Sequence, residues 1–164
     1  MFTHVRHKPL TPLDRPRDLI VACPPMHSKV NLSRIVRTAS CCGVTRVIAC
    51  GSGKLDREIT RDAADHVTLE VHRTLPPVLI RLKQEGYALV GLEQTDSSEN
   101  LHTFPFARRC VLVLGHERHG IEADVLRLLD HAVEIPVYGL PYSYNVAAAA
   151  AMALYEYCRQ FPNG

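Results

Sequence analysis

Two arginines one helical turn apart, Arg34 and Arg37, follow Asn31 in the stretch "NLSRIVRTASCCGV", residues 31–44. Guanidinium groups stay charged at physiological pH and present forked donors, so the pair suits phosphate oxygens; the same spacing also fits a solvated helix face. A second polar cluster, His116 to His119, lies between Gly115 and Gly120 directly after the apolar run "CVLVL". Glycine allows backbone amides to come close to a ligand, and the helix expected after Gly120 turns its first amides toward polar or anionic groups. A third stretch, "GLPYSYNVAAAAAMALYEY", residues 139–157, sets Ser143 and Asn145 in front of five alanines. Both are good helix caps. Capping does not explain Ala147 to Ala151, whose small side chains let neighbouring backbone approach closely.

Two other chemistries fit these residues poorly. His116, Glu117 and His119 form H-E-R-H in a glycine-bounded loop, whereas a zincin helix needs its histidines four apart, so no metal site is expected. No Lys-Ser/Thr pair follows Gly120, and no G-x-G-x-x-G occurs, which counts against an unrelated nucleotide-binding protein. Glu117 is then expected to orient a loop or a ligand.

Positioning these stretches requires a regular scaffold. Short apolar runs, "DLIVAC", "RVIAC", "VTLEV", "YALVGL", "CVLVLG" and "AVEIP", read as strands. Helices are expected near residues 31–42, 75–85, 121–130 and 146–160, with a weaker one around 57–64. In the first, Leu32, Ile35, Val36 and Ala39 share one face, Arg34 and Arg37 project from the other, and Gly43 is a left-handed stop. Asn31 stands at the expected start, where its amide caps the helix or faces a ligand. Strands apolar on both faces and separated by helices predict an α/β fold, a mostly parallel sheet covered on both sides. Ligands of such sheets bind at the carboxyl ends of the strands, where all three polar stretches fall.

The bulk composition sets limits. At 164 residues, 46% of them hydrophobic and 22% charged, one domain with a full core is expected. An irregular basic arm, residues 1–17, precedes a domain over 18–164. A net charge of +2 means that any nucleic acid must be held by a local patch. Six cysteines lie in apolar runs without CxxC spacing, and no signal segment precedes them, so they read as reduced core residues of a cytoplasmic protein. No stretch is long enough for a membrane span.

Taken together, N-x5-R in the first helix, a strand ending in G-x-E-x-x-G, and I-P followed by S-x-N-V at a small-residue helix resemble the SpoU (TrmH-like) branch of the SPOUT RNA methyltransferases. The resemblance covers about residues 18–160. Within the branch, "GYALVGLEQT" and "LVLGHERHGI" look most like tRNA ribose methyltransferases acting on a D-loop guanosine. It implies a fold with a C-terminal deep trefoil knot, S-adenosylmethionine as cofactor, an RNA partner (tRNA or ribosomal RNA) and a homodimer with the site near the subunit boundary.

Carried onto matching positions, the resemblance implies that Arg37 activates or positions the ribose 2'-hydroxyl, with Asn31, Glu117, Ser143 and Asn145 shaping the catalytic site and Arg34 adding an RNA contact. The cofactor would lie against Gln94, Thr95, Leu114, Gly115, Gly120, Ile135, Leu140, Ser143, Tyr144 and Asn145. The sequence departs from the family pattern at Tyr144, usually Leu, at Ala147, commonly Ser, and at Pro141-Tyr142. Those departures leave an alternative, a catalytically silent RNA-binding relative with an altered cofactor loop.

Overall fold

A computed structural model describes residues 1–164. The apolar runs pair as one seven-stranded sheet in the order β3-β2-β1-β6-β4-β7-β5. In chain order the strands are β1 (Leu19–Pro25), β2 (Arg46–Cys50), β3 (Thr68–His72), β4 (Ala88–Leu92), β5 (Glu99–Asn100), β6 (Cys110–Val113) and β7 (His131–Glu134). Every pairing is parallel, so all carboxyl ends share one edge. β6 enters between β1 and β4, and the strand order therefore turns back beside β1. Cys110 to Val113 are all buried, as a central parallel strand with covered faces requires.

Helices cover the two faces separately. On one face α1 (Lys29–Cys41) and α6 (Val146–Gln160) pack Leu32, Ile35, Val36, Ala150 and Leu154 against Val21, Val47 and Leu112. On the other, α4 (Pro76–Gln84) and α5 (Ala123–Leu126) pack Leu79, Leu82 and Val125 against Ile20, Ile48 and Val111. The expected α1 face is buried, and the helix stops where Gly43 adopts φ +72°. α6 buries Ala147, Ala150, Ala153, Leu154 and Tyr157, a stripe at helical spacing.

Several expectations need correction. The helix foreseen over 121–130 is the single turn of α5, because the chain past Leu126 tightens into Leu128 N–H to Val125 and Leu129 N–H to Leu126 bonds. The weak helix at 57–64 is two single turns, α2 (Arg57–Thr60) and α3 (Ala63–His66), broken where Arg61 takes φ +50°. β5 was not foreseen: two polar, exposed residues carry no hydrophobic period. Ser28, not Asn31, caps α1. Among the cysteines only Cys23, Cys50 and Cys110 are core residues; Cys41 is exposed, and Cys42 and Cys158 are half-buried.

Residues 1–17 form no helix or strand. The end of this segment is nevertheless fastened to the far edge of the fold. Asp14 N–H donates to the Asn163 carbonyl (2.9 Å), and Arg17 donates to the carbonyls of Cys42 and Phe161 (both 2.6 Å).

Candidate nucleic-acid-modifying site

Three loops at the carboxyl edge of the sheet are joined by a chain of side-chain hydrogen bonds. Ser28 ends the loop after β1 and caps α1 by accepting from Asn31 N–H at 3.3 Å. That cap places Asn31 in the first turn, 8% exposed, with its amide directed across the edge. Its Nδ2 donates to Glu117 Oε1 (3.2 Å), and its Oδ1 accepts from Asn145 Nδ2 (3.2 Å). Asn145 in turn caps α6, its Oδ1 accepting from Ala147 N–H (2.9 Å) and Ala148 N–H (3.3 Å). Residues 31, 117 and 145, far apart in the chain, thus form one polar unit with every bond directed.

Glu117 is the anchor of this unit. Its carboxylate also accepts from His27 N–H (3.1 Å) and Ser28 N–H (3.0 Å). Burial alone would raise its pKa; hydrogen bonds from backbone amides and the Asn31 amide outweigh burial and hold the group down to about 2. The loop carrying it is a tight hairpin in which His116 and Gly120 exchange backbone hydrogen bonds at 2.9 and 3.0 Å. A Cβ at Gly115 would fall 2.8 Å from the Gly120 carbonyl carbon, so the closing strands leave no room for a side chain there. Glu93, at the end of β4, locks the same hairpin from the other side by accepting Ile121 N–H at 2.8 Å.

Beside this unit lies a cavity of about 110 Å³ between the ends of β4 and β7 and the loop before α6. Leu92, Val133, Ile135, Val137 and Ala149 give it apolar walls, and Glu93, Gln94 and Ser143 add polar groups. Tyr144 closes one side. Gln94 Nε2 also donates a long bond, 3.4 Å, to the Tyr142 carbonyl, tying the loop to β4. No group of three or more His, Cys, Asp or Glu side chains is placed to hold a metal ion, and no helix is long and apolar enough to cross a membrane.

The model of the SpoU rRNA Methylase family matches residues 18–155. The chain belongs to this family. Among relatives of this SpoU chain, the tRNA (guanosine(18)-2'-O)-methyltransferase of Escherichia coli K12 is 32% identical over 152 residues, which cover 91% of this chain and 66% of that protein. The chain therefore spans slightly less than two thirds of that enzyme's length. Of solved structures, the Aquifex aeolicus TrmH/SpoU tRNA modifying enzyme superposes with a TM-score of 0.84 at 29% identity, covering 90% of this chain and 77% of that one. The SpoU methyltransferase AviRb from Streptomyces viridochromogenes, in complex with the cofactor AdoMet, gives 0.77 at 25% identity, covering 92% and 63%. The parallel sheet with helices on both faces is the fold of these SpoU proteins.

Within the SpoU frame, the residues singled out in the sequence separate into groups. Asn31, Glu117 and Asn145 form the bonded unit, and Gln94, Ile135, Ser143 and Tyr144 line the adjacent cavity. Leu114 and Gly120 instead line a second cavity of about 280 Å³, shared with Pro24, Pro25, Leu75 and Ile121. Gly115 lies in the hairpin, Thr95 in a turn where its N–H donates to Ser98 Oγ (3.1 Å), and Leu140 is 77% exposed; none of the three lines the first cavity. Arg34 and Arg37 are exposed on the outer side of α1. Arg37 Nη1 donates to the Ile59 carbonyl at 3.2 Å and takes no part in the Asn31 unit.

Sequence reasoning missed Glu93, Ser28 and His27. Glu93 had a signal, since it ends a strand immediately before the expected cofactor wall. The parts played by Ser28 and His27 are carried largely by backbone amides, which leave no mark in residue type.

Proposed function

We propose that this protein is an S-adenosylmethionine-dependent RNA ribose 2'-O-methyltransferase, with tRNA favoured over ribosomal RNA. The observation that carries the reading is the Glu117–Asn31–Asn145 unit, because it joins one residue from each of three separate polar stretches beside a small, mostly apolar cavity. The likeness to tRNA guanosine methyltransferases favours tRNA. The apolar walls around Ile135 and Ala149 suit a purine, and Gln94 and Ser143 suit its ribose and charged tail. A cavity of 110 Å³ is smaller than the several hundred typical of a whole cofactor, so the exposed loop Gly139–Tyr144 would swing outward on binding and release the Gln94–Tyr142 contact. The C-terminal segment is expected to thread a trefoil knot.

When bound, the cofactor would supply a methyl group on a positively charged sulfur for in-line displacement. The chain's part is then positional. Arg37, whose guanidinium stays charged and offers no acceptor for a proton, would orient the RNA hydroxyl and stabilise developing negative charge. Its outward direction supports a homodimer in which Arg37 of one subunit faces the cavity of the other. Tyr138, Leu140 and Tyr142 on the loop before α6, and Tyr155 on α6 itself, are exposed and would be available for such a contact. Asn31 and Asn145 would hold the floor of the site rigid.

The test is transfer of labelled methyl from S-adenosylmethionine to undermethylated tRNA and, separately, ribosomal RNA, followed by nucleoside analysis. Label in a 2'-O-methyl nucleoside of tRNA, lost in Arg37→Ala while cofactor binding persists, is expected. Absence of cofactor binding in the wild-type protein would sink the proposal in favour of a silent RNA-binding relative.

A further inference from the structure

A second reactive cluster lies at the opposite ends of the helices that carry the proposed site. α1 and α6 run side by side in one direction: their first turns meet through Asn31 and Asn145, and their last turns meet through two cysteines. Cys158, in the last turn of α6, donates its Sγ–H to the carbonyl of Cys42, the C-cap of α1, at 3.7 Å, which sets the two cysteines side by side. Both are half-buried, within reach of small solutes, whereas Cys23, Cys50 and Cys110 are sealed in the sheet.

Arg17 sits across the same junction. Its Nε donates to the Cys42 carbonyl and its Nη1 to the Phe161 carbonyl, each at 2.6 Å. Both bonds go to neutral oxygens, so the guanidinium charge stays uncompensated beside the sulfurs. The neighbouring Cys42 thiol, aided by Arg17, brings the Cys158 thiol down to about 7, while the Cys158 sulfur and burial push the Cys42 thiol up. Cys158 is thus the more readily ionised thiol of the pair.

We propose that Cys158 and Cys42 form an oxidisable dithiol, with Cys158 attacking and Cys42 resolving, which hydrogen peroxide converts into an intramolecular disulfide joining the ends of α6 and α1. The Cys158 thiolate attacks one peroxide oxygen, the O–O bond breaks, and the departing hydroxide takes a proton to leave as water. Cys42, losing its proton, then attacks the resulting sulfenic sulfur and expels the second oxygen as water. Two thiols are oxidised and one peroxide is reduced to two waters. The bond closes a chain segment of 116 residues, so it restricts the unfolded chain without touching the site at the other ends of the helices.

The experiment treats the full-length protein with limiting hydrogen peroxide, blocks remaining thiols with iodoacetamide, and maps the peptides by mass spectrometry. A Cys42–Cys158 cross-link, with a Tm several degrees higher that dithiothreitol reverses, is expected. In Cys42→Ser, dimedone should trap a sulfenic acid at Cys158, and in Cys158→Ser it should label Cys42 at least about tenfold more slowly. Recovery of both residues as alkylated thiols, linkage through Cys41, or a disulfide between two chains would overturn the proposal. Should either serine variant fail to fold, the wild-type cross-link map decides alone.

Discussion

Replacing Glu117 by Gln tests whether the site depends on a charged anchor. In the native fold the carboxylate accepts three N–H donors, at 3.0, 3.1 and 3.2 Å, on a side chain only 16% exposed. A pKa held at about 2, against an ordinary 4.5, corresponds to about 3 kcal/mol of stability at neutral pH. Glutamine keeps one acceptor oxygen but turns an NH2 toward amides that also donate, so the variant should lose about 2–3 kcal/mol at pH 7. The sign of the pH dependence follows from the lowered pKa: the contribution is complete above about 4.5 and disappears as pH falls toward 2. Urea denaturation followed by far-ultraviolet circular dichroism should therefore show a gap between wild type and variant that is constant from pH 7 to 5 and closes below. A gap under about 0.5 kcal/mol at pH 7, or one unchanged at pH 3, would refute the argument that charged hydrogen bonding overrides burial at this residue.

Asn145 separates capping from site assembly. Asn145→Ala removes both cap bonds and should cost about 1–2 kcal/mol in chemical denaturation. Asn145→Asp keeps the cap but leaves the buried Asn31 Oδ1 without its donor, so it should cost about 1–3 kcal/mol, and methyl transfer should fall at least about tenfold. Ala153→Leu forces a larger side chain into a fully buried position on α6 and should cost about 1–3 kcal/mol or more, read as a lower urea midpoint. Arg37→Ala, at an exposed residue, should leave the midpoint within about 0.5 kcal/mol of wild type even as activity is lost.

The sequence carried the scaffold because hydrophobic period is a local signal. Strands such as Arg46–Cys50 and the helix Val146–Gln160 appear where their residue patterns place them. Polar or very short elements left no such trace, as with β5, which exists only because Glu99 and Asn100 pair with Val133 and Glu134. For the site, residue types marked Asn31, Glu117 and Asn145, and only the fold shows them bonded in series. The cofactor wall was less legible. Leu114 and Gly120, after β6, line a different cavity from Ile135 and Ser143, after β7, and residue type does not mark which loop borders which cavity.

The alanine run acquires its meaning from the same geometry. Ala147, Ala150 and Ala153 form the stripe by which α6 meets the core, and Ala150 and Ala153 are completely enclosed. Helix axes separate by about 8–10 Å according to the side chains between them, so small residues bring α6 toward the near limit. Only a close approach lets two short amides, Asn31 on α1 and Asn145 ahead of α6, span the remaining gap with a direct 3.2 Å bond. Larger residues in the stripe would move Asn145 outward and leave Asn31 Oδ1 without its donor, in a residue that is 92% buried. The smallness of the helix and the polarity of the turn before it are therefore one device. Alanine sets the distance at which the asparagine that caps α6 can also belong to the site.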